Sequence, residues 1–188
     1  MSVPKAFEPC KLVFGLLYLH RDVKARVLSA LAELFGPLDA VTQPQDFTFT
    51  RFYEKEIGSG LLRLFGSFEE LVDPERLPEI KERTNLLEQQ WANGERRTIN
   101  VDPGLLSEDR LVLATGKNAA HRIPLRDGIY ADLTLLYRDG AYRPLPWTYP
   151  DYAQEATRRF FGLLRGILTA RRRGRAPRRS RSTKEMQL

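Results

Sequence analysis

The chain has 188 residues, 42% of them hydrophobic, which is enough for one core with room for an appendage. Its 30 Lys and Arg against 24 Asp and Glu give a formal charge of +6, but residues 171–188 alone hold eight cations against one acid, leaving −1 for the rest. A near-neutral body argues against nucleic-acid binding over its whole surface, and no apolar run approaches the roughly 20 residues that span a bilayer.

The first apolar run, Leu12 to Leu19, has strand length, and its unbroken hydrophobicity suits a central strand covered on both faces. The residues before it lack the charged segment and small-residue cleavage site of a signal peptide. Cys10 is the single cysteine, so no internal disulfide forms. It reads as a small apolar packing residue, and a cytoplasmic location is the expectation. A helix follows from about Asp22 to Phe35, with Val23, Val27, Leu31, Leu34 and Phe35 on one stripe and Gly36-Pro37 as its stop.

Phe47 to Tyr53 alternates as a strand does. Glu54-Lys55-Glu56 continues it, Gly58-Ser59-Gly60 turns, and Leu61 to Phe68 reads as the returning strand of a hairpin. Asp73-Pro74 opens helical territory. The better helix runs from about Pro78 to Trp91, with Ile80, Thr84, Leu87 and Trp91 facing inward, and Arg97 to Val101 supplies the next strand. This βαββαβ order is that of a ferredoxin-like unit.

Asp102-Pro103-Gly104 reads as a turn. Arg110–Thr115, His121–Arg126, Ile129–Tyr137 and Ala141–Leu145 read as strands. Asp127-Gly128 and Asp139-Gly140 are preferred hairpin pairs because both positions accept positive φ. The second half is therefore expected to be an antiparallel meander. Pro144, Pro146 and Pro150 around Trp147-Thr148-Tyr149 exclude a central strand there and predict an aromatic connection over the core. A last helix begins at Asp151, with Ala156, Phe160, Leu163, Leu164 and Ile167 as its apolar stripe. The expected fold is α+β, an antiparallel or mixed sheet with three flanking helices. One domain covers 1–170, and the Arg-rich tail 171–188 is expected to be disordered.

The Ile129–Tyr137 strand carries the most chemistry. Alternation sends Ile129, Ala131, Leu133 and Leu135 to one face and Tyr130, Asp132 and Thr134 to the other. Asp132 and Tyr130 can then floor a cleft, with His121 or Arg122 supplied by the opposing strand. The imidazole of His121 suits a general base. Lys117, Asn118 and the backbone after Gly116 offer donors to an anion. Asn100 and Asp102 add an amide and a carboxylate. These readings give Asp132, His121 and Asp102 as catalytic candidates, and Lys117, Asn118, Arg122, Tyr130 and Asn100 as ligand-binding ones. Glu54 and Glu56, two apart on a strand, share a face and can contribute oxygen ligands to a divalent cation. Each reading competes with a plain one: a solvated strand face, a backbone-bonded histidine, ordinary loop chemistry.

Several motifs are absent: the phosphate loop G-x-x-x-x-G-K-[ST], G-x-G-x-x-G, zinc-spaced Cys and His, and the hydrolase elbow G-x-S-x-G. Eight cations within residues 171–184 would attract any polyanion, RNA and DNA included, in a salt-sensitive way.

NVDPG at 100–104, TGKNAAHRI at 115–123, GIYADLTL at 128–135 and LPWTYPDY at 145–152 resemble an uncharacterised prokaryotic family of about this length, classed as a domain of unknown function. The resemblance covers most of residues 4–170. Some members of that family are labelled GTP-binding. Here GKNA at 116–119 lacks the aspartate of a guanine-reading motif, and the family implies no catalytic residues. The functional expectation is an enzyme or binding domain for an anionic small molecule, such as a nucleotide or sugar phosphate. The alternatives are an RNA-associated protein acting through its tail and a partner-binding module presenting Trp147 and Tyr149.

Overall fold

A computed structural model describes residues 1–50, 52–94 and 96–174, without the side chain of Lys55. The expected reach of the tail toward nucleic acid falls on residues 175–188, outside the described part. Among the described residues nine strands form one antiparallel sheet: β1 (Cys10–Tyr18), β2 (Leu38–Val41), β3 (Gln45–Asp46), β4 (Leu62–Val72), β5 (Ile99–Leu106), β6 (Arg110–Thr115), β7 (Arg122–Pro124), β8 (Tyr130–Arg138) and β9 (Ala141–Pro144). Four helices among the described residues flank it: α1 (Arg21–Phe35), α2 (Leu77–Gln90), α3 (Pro150–Ala153) and α4 (Glu155–Arg172). Among the described residues no helix is long and apolar enough to cross a membrane.

The spatial order β2-β4-β1-β5 places the first strand between the third and last strands of the βαββαβ unit, which is the ferredoxin-like arrangement. β1 is buried along its whole length, as its continuous apolar run requires. Phe14, Leu16 and Tyr18 pack with Val27 and Leu31 of α1 and with Ile80 and Leu87 of α2. Val13, on the opposite face, joins Phe65, Leu111 and Leu113 under Tyr152, Phe161 and Leu164.

The second half departs from a simple meander. β8 sits between β6 on one side and both β7 and β9 on the other, so β7 skips its expected neighbour. The register slips between Leu111/Leu135 and Val112/Leu133, which leaves Thr134 as a bulge. Opposed residues share a face, so Leu135 lies with Leu111 while Asp132 lies with Leu113. The bulge thus moves Leu135 from the expected Ala131–Leu133 face to the face that carries Asp132. β7 begins opposite Asp132 and β9 ends opposite Leu135, leaving Leu133 and Thr134 unpaired on that edge. The proline-rich connection fills the gap: Trp147 Nε1 donates to Leu133 O at 2.8 Å and Thr148 Oγ1 to Thr134 O at 2.5 Å.

Other expectations need correction. The described residues of Phe47 to Tyr53 form no strand: the strand ends at Asp46, Phe47 N makes one further bond to Leu61 O at 2.8 Å, and a short 3₁₀ turn spans Phe52–Lys55. Thr50 Oγ1 takes the Phe52 N–H at 3.1 Å, a local bond that competes with strand pairing. The aromatic rings pack edge-on against one another, Phe47 with Phe49 and Tyr53, Phe52 with Tyr53. Asp102-Pro103-Gly104 is no turn but the middle of β5, paired with Gly15, Phe14 and Val13. The last helical stretch is two helices, broken at Gln154, whose ψ of 142° is extended. Its buried stripe is Phe161, Leu164 and Leu168, while Leu163 is exposed. α4 also runs past Ala170: Arg171 donates to Glu69 O at 2.5 Å, and Arg172 pairs with Glu8 at 2.9 Å and Glu108 at 3.1 Å.

Candidate functional site

α4 covers only part of its face of the sheet, and the uncovered part is polar. Leu17 lies opposite Arg63 on β4 and Asn100 on β5, while Gly15 lies opposite Phe65 and Asp102. Leu17, Arg63, Asn100 and Asp102, with Thr115 of β6 and Asp132 of β8, line a cleft of about 200 Å³. Phe47 and Tyr53 come over it from the aromatic segment, Tyr149 and Asp151 from the chain entering α3, and Lys117 from the loop after β6.

Arg63 is the centre of the floor and is only 5% exposed. Its Nη1 donates to Asp102 Oδ2 at 2.9 Å. Its Nε lies 2.9 Å from Asp151 Oδ2, an ion-pair contact out of line for a hydrogen bond. The guanidinium lies over Gly15: a Cβ there would stand 2.7 Å from Arg63 Nη2 and 2.6 Å from the Tyr152 hydroxyl. Glycine at 15 is what lets both groups approach the sheet. The Tyr152 hydroxyl is buried without a hydrogen-bond partner among the described residues.

A gap in the sheet admits the next cation. β5 and β6 pair only over Gly104–Leu106 and Leu111–Leu113. Beyond Gly104, Pro103 has no N–H to give β6, so the strands part there. The Val101 edge thereby exposed is taken by α2: Lys81 Nζ donates to Val101 O at 3.0 Å, and Val101 N donates to Glu88 Oε1 at 2.8 Å. Lys81 and Asn85 reach the cleft through this gap from the far face of the sheet. Arg97 closes one end, bonded to Glu88 Oε2 at 3.0 Å and Asn100 Oδ1 at 3.1 Å and paired with Glu56.

Electrostatics separates the two carboxylates held by Arg63. Burial alone would raise Asp102, but Arg63, Lys81 and the Asn100 amide outweigh it and hold it below its usual value. Asp151 goes the other way: burial lifts it above the ordinary range, Arg63 pulls it back in part, and Asp102 pushes it up again. Burial would lower Arg63, yet Tyr152, Asp151 and Asp102 together keep its charge more firmly than usual.

The residues expected from sequence fall into three groups. Asp132, Asp102, Asn100 and Lys117 line the cleft. Arg122 and His121 stand behind Asp132: Arg122 Nε donates to Asp132 Oδ2 at 2.9 Å, and His121 Nε2 lies 3.5 Å from the same oxygen without a hydrogen bond. His121 stacks on Trp147 at 5.0 Å, and Arg122 also donates to the Tyr149 hydroxyl at 2.5 Å. Neither lines the cleft, so His121 is placed to support Asp132 rather than to meet a ligand. Tyr130 shares the face of Asp132 but lies outside the lining, and Asn118 is exposed with no hydrogen bond among the described residues. The N–H of Lys117 is held by Thr115 Oγ1 at 3.2 Å and is not offered to an anion. Glu54 and Glu56 are on the 3₁₀ turn and just after it, not on a strand, so the shared-face argument fails. Glu56 is engaged by Arg97, and no group of three or more His, Cys, Asp or Glu among the described residues could hold a metal ion. Trp147 and Tyr149 are partly exposed.

Sequence reasoning missed Arg63, Lys81, Arg97 and Asp151. For Arg63 a signal exists: it is the one charge within the apolar run Leu61–Phe65. Lys81 and Glu88, seven apart and so on one face of α2, look like an ordinary wetted surface.

The model of a family described as a domain of unknown function, DUF4416, matches residues 8–167. The chain belongs to that family. The match takes in every strand and most of α4, so the cleft is built entirely from the DUF4416 domain. Searches of curated proteins and of solved structures find no match.

Proposed function

We propose that the cleft binds a small anion rich in hydroxyl groups, of sugar-monophosphate size, and moves a proton on it. The observation that carries this reading is Arg63, buried between Asp102 and Asp151. Buried ion pairs add little to stability compared with apolar packing, so stability alone does not account for the arrangement. A preorganised array of charges waiting for a ligand does.

The remaining groups fit that ligand class. Lys117 pairs with no carboxylate among the described residues and rests on the Phe52 ring at 4.0 Å, leaving its charge for an anion. Asp132 and Asp102 can accept hydroxyl hydrogens. A cavity of about 200 Å³ is smaller than the roughly 300–1,000 Å³ of sites for larger ligands, which favours a sugar phosphate over a whole nucleotide. The opposite displacement of Asp102 and Asp151 is the pattern by which two carboxyls divide acid and base roles. Asp151 is the proton donor in this reading, with Asp132 and Asp102 as bases.

The test is thermal unfolding with ribose 5-phosphate, glucose 6-phosphate, the free sugars and inorganic phosphate. A ligand at 100 times its Kd stabilises the folded state by about 2.7 kcal/mol. A sugar phosphate is expected to raise Tm beyond inorganic phosphate, and Lys117→Ala to remove that difference. A wild-type protein indifferent to every sugar phosphate, or a Lys117→Ala variant that responds equally, rejects the reading.

A further inference from the structure

Leu17 and Tyr18 are consecutive on β1, so their side chains leave opposite faces of the sheet. Leu17 enters the cleft. Tyr18 lines a separate groove of about 740 Å³ where β1 passes into α1. None of the cleft residues lines this groove.

Tyr18 is 0% exposed, and its hydroxyl has no hydrogen-bond partner among the described residues. A buried polar atom left unpaired is uncommon and calls for a reason. Burial raises the hydroxyl above its usual value, with Arg21 pulling more weakly the other way, so it remains a donor at neutral pH.

The start of α1 supplies more donors. The 15-residue helix has no side-chain cap from His20. The Val23 N–H is bonded to His20 O at 3.0 Å, while those of Arg21 and Asp22 have no partner among the described residues. Unpaired N–H groups at a helix start, with the positive end of the helix dipole, receive anions. Arg21 and Lys24 line the groove, and neither joins an ion pair among the described residues. Gln43 and Gln45 add amides on the rim. Asp46 in the lining and Asp22 in the first turn offset the two cations, which leaves the positive end of the helix dipole to set the sign.

We propose that the β1–α1 junction is a second ligand site, which takes the phosphate group of a phosphomonoester on the Tyr18 hydroxyl, the first N–H groups of α1, Arg21 and Lys24. It is independent of the cleft, on the other face of the sheet.

The experiment is titration of the ¹⁵N-labelled full chain with inorganic phosphate, followed by amide NMR, with chloride at equal ionic strength as control. The Arg21 and Asp22 amides are expected to shift and saturate with phosphate but not with chloride. The double variant Arg21→Ala, Lys24→Ala should raise Kd at least about tenfold, as loss of two charge-assisted bonds implies. Tyr18→Phe, which removes one oxygen and keeps the ring, should weaken binding several-fold without lowering Tm. Lys117→Ala should leave these shifts unchanged, whatever it does to ligands of the cleft. The proposal is overturned if the amides do not saturate by about 10 mM phosphate. It is equally overturned if chloride reproduces the shifts, or if Lys117→Ala abolishes them while the Arg21/Lys24 variant keeps them.

Discussion

Lys81 reaches from α2 to the carbonyl of Val101, 3.0 Å away, where a neighbouring strand would otherwise have stood. With Glu88 accepting from Val101 N, a lysine and a glutamate stand in for a strand. This substitution lets β5 and β6 part and creates the opening on which the cleft depends. It also makes Lys81 hard to replace. Lys81→Met would leave the Val101 carbonyl unpaired and Glu88 short of its partner, at a cost of about 3–5 kcal/mol. Glu88→Gln should cost less, because an amide oxygen can still accept from Val101 N. Urea unfolding of the two variants tests the ranking; equal and small losses would show that the pair carries no structural role.

Asp102 and Asp151 predict a particular response to pH. Asp102 is held below its ordinary value of 3.8, so the unfolded chain takes up its proton first. The stability Asp102 supplies is complete above that value and is lost as pH falls through it toward the folded value. Asp151 is raised, so its contribution is present in acid and declines as pH rises above its ordinary 3.8. Asp102→Asn should therefore cost about 3 kcal/mol near neutrality, with the gap to wild type closing below about pH 4. Asp151→Asn should cost less at neutral pH. Unfolding free energies from pH 2.5 to 7 decide it, and a gap for Asp102→Asn that widens in acid would contradict the assigned direction.

How much of this was legible follows from local rules and where they stop. Asp132 declared itself through period-two alternation on Ile129–Tyr137, because a strand's faces are set by its backbone. Leu135 did not, since a bulge at Thr134 inverts the alternation and depends on partners far away, Trp147 and Thr148. Asp102-Pro103-Gly104 carries turn chemistry in its composition, yet β1 holds it extended. Pro103 is tolerated because its nitrogen faces the gap, and Gly104 because a Cβ would meet Val112 O at 2.8 Å. Lys81 looks like a solvated helix residue until the packing of α2 over a split sheet is known. The βαββαβ order was readable from apolar periods except at its second strand, expected at Phe47–Tyr53 and found at Leu38–Val41, a four-residue piece too short to show a period. The cleft was only half readable because its cations are charges buried by tertiary structure.

Gly15 tests the floor directly. Gly15→Ala places a methyl within 3 Å of the Tyr152 hydroxyl and the Arg63 guanidinium. The arginine end can yield, but the tyrosine is fixed by its packing on Phe65 and Phe161. Such overpacking costs about 1–3 kcal/mol. Displacement of Arg63 should in addition abolish the sugar-phosphate rise in Tm. A variant that loses stability yet keeps the full ligand response would separate Arg63 from binding.

Arg97 ties the aromatic segment to the cleft. One guanidinium holds Glu56, just past the 3₁₀ turn, together with Glu88 of α2 and Asn100 of β5. Tyr53, from the same segment, lines the cleft, and Gly58 and Gly60 lie beyond it with φ of 125° and 78°. Arg97→Ala removes a clasp that spans all three elements. Global stability should fall by about 1–3 kcal/mol, since Glu88 keeps Lys81 as a partner. Exchange of the amides of residues 52–60 should accelerate far more than that of β1, because local opening no longer has to break the Glu56 pair. Native-state hydrogen exchange reads both at once. Uniform acceleration across the sheet would mean that Arg97 supports the whole fold and does not hold the segment over the cleft.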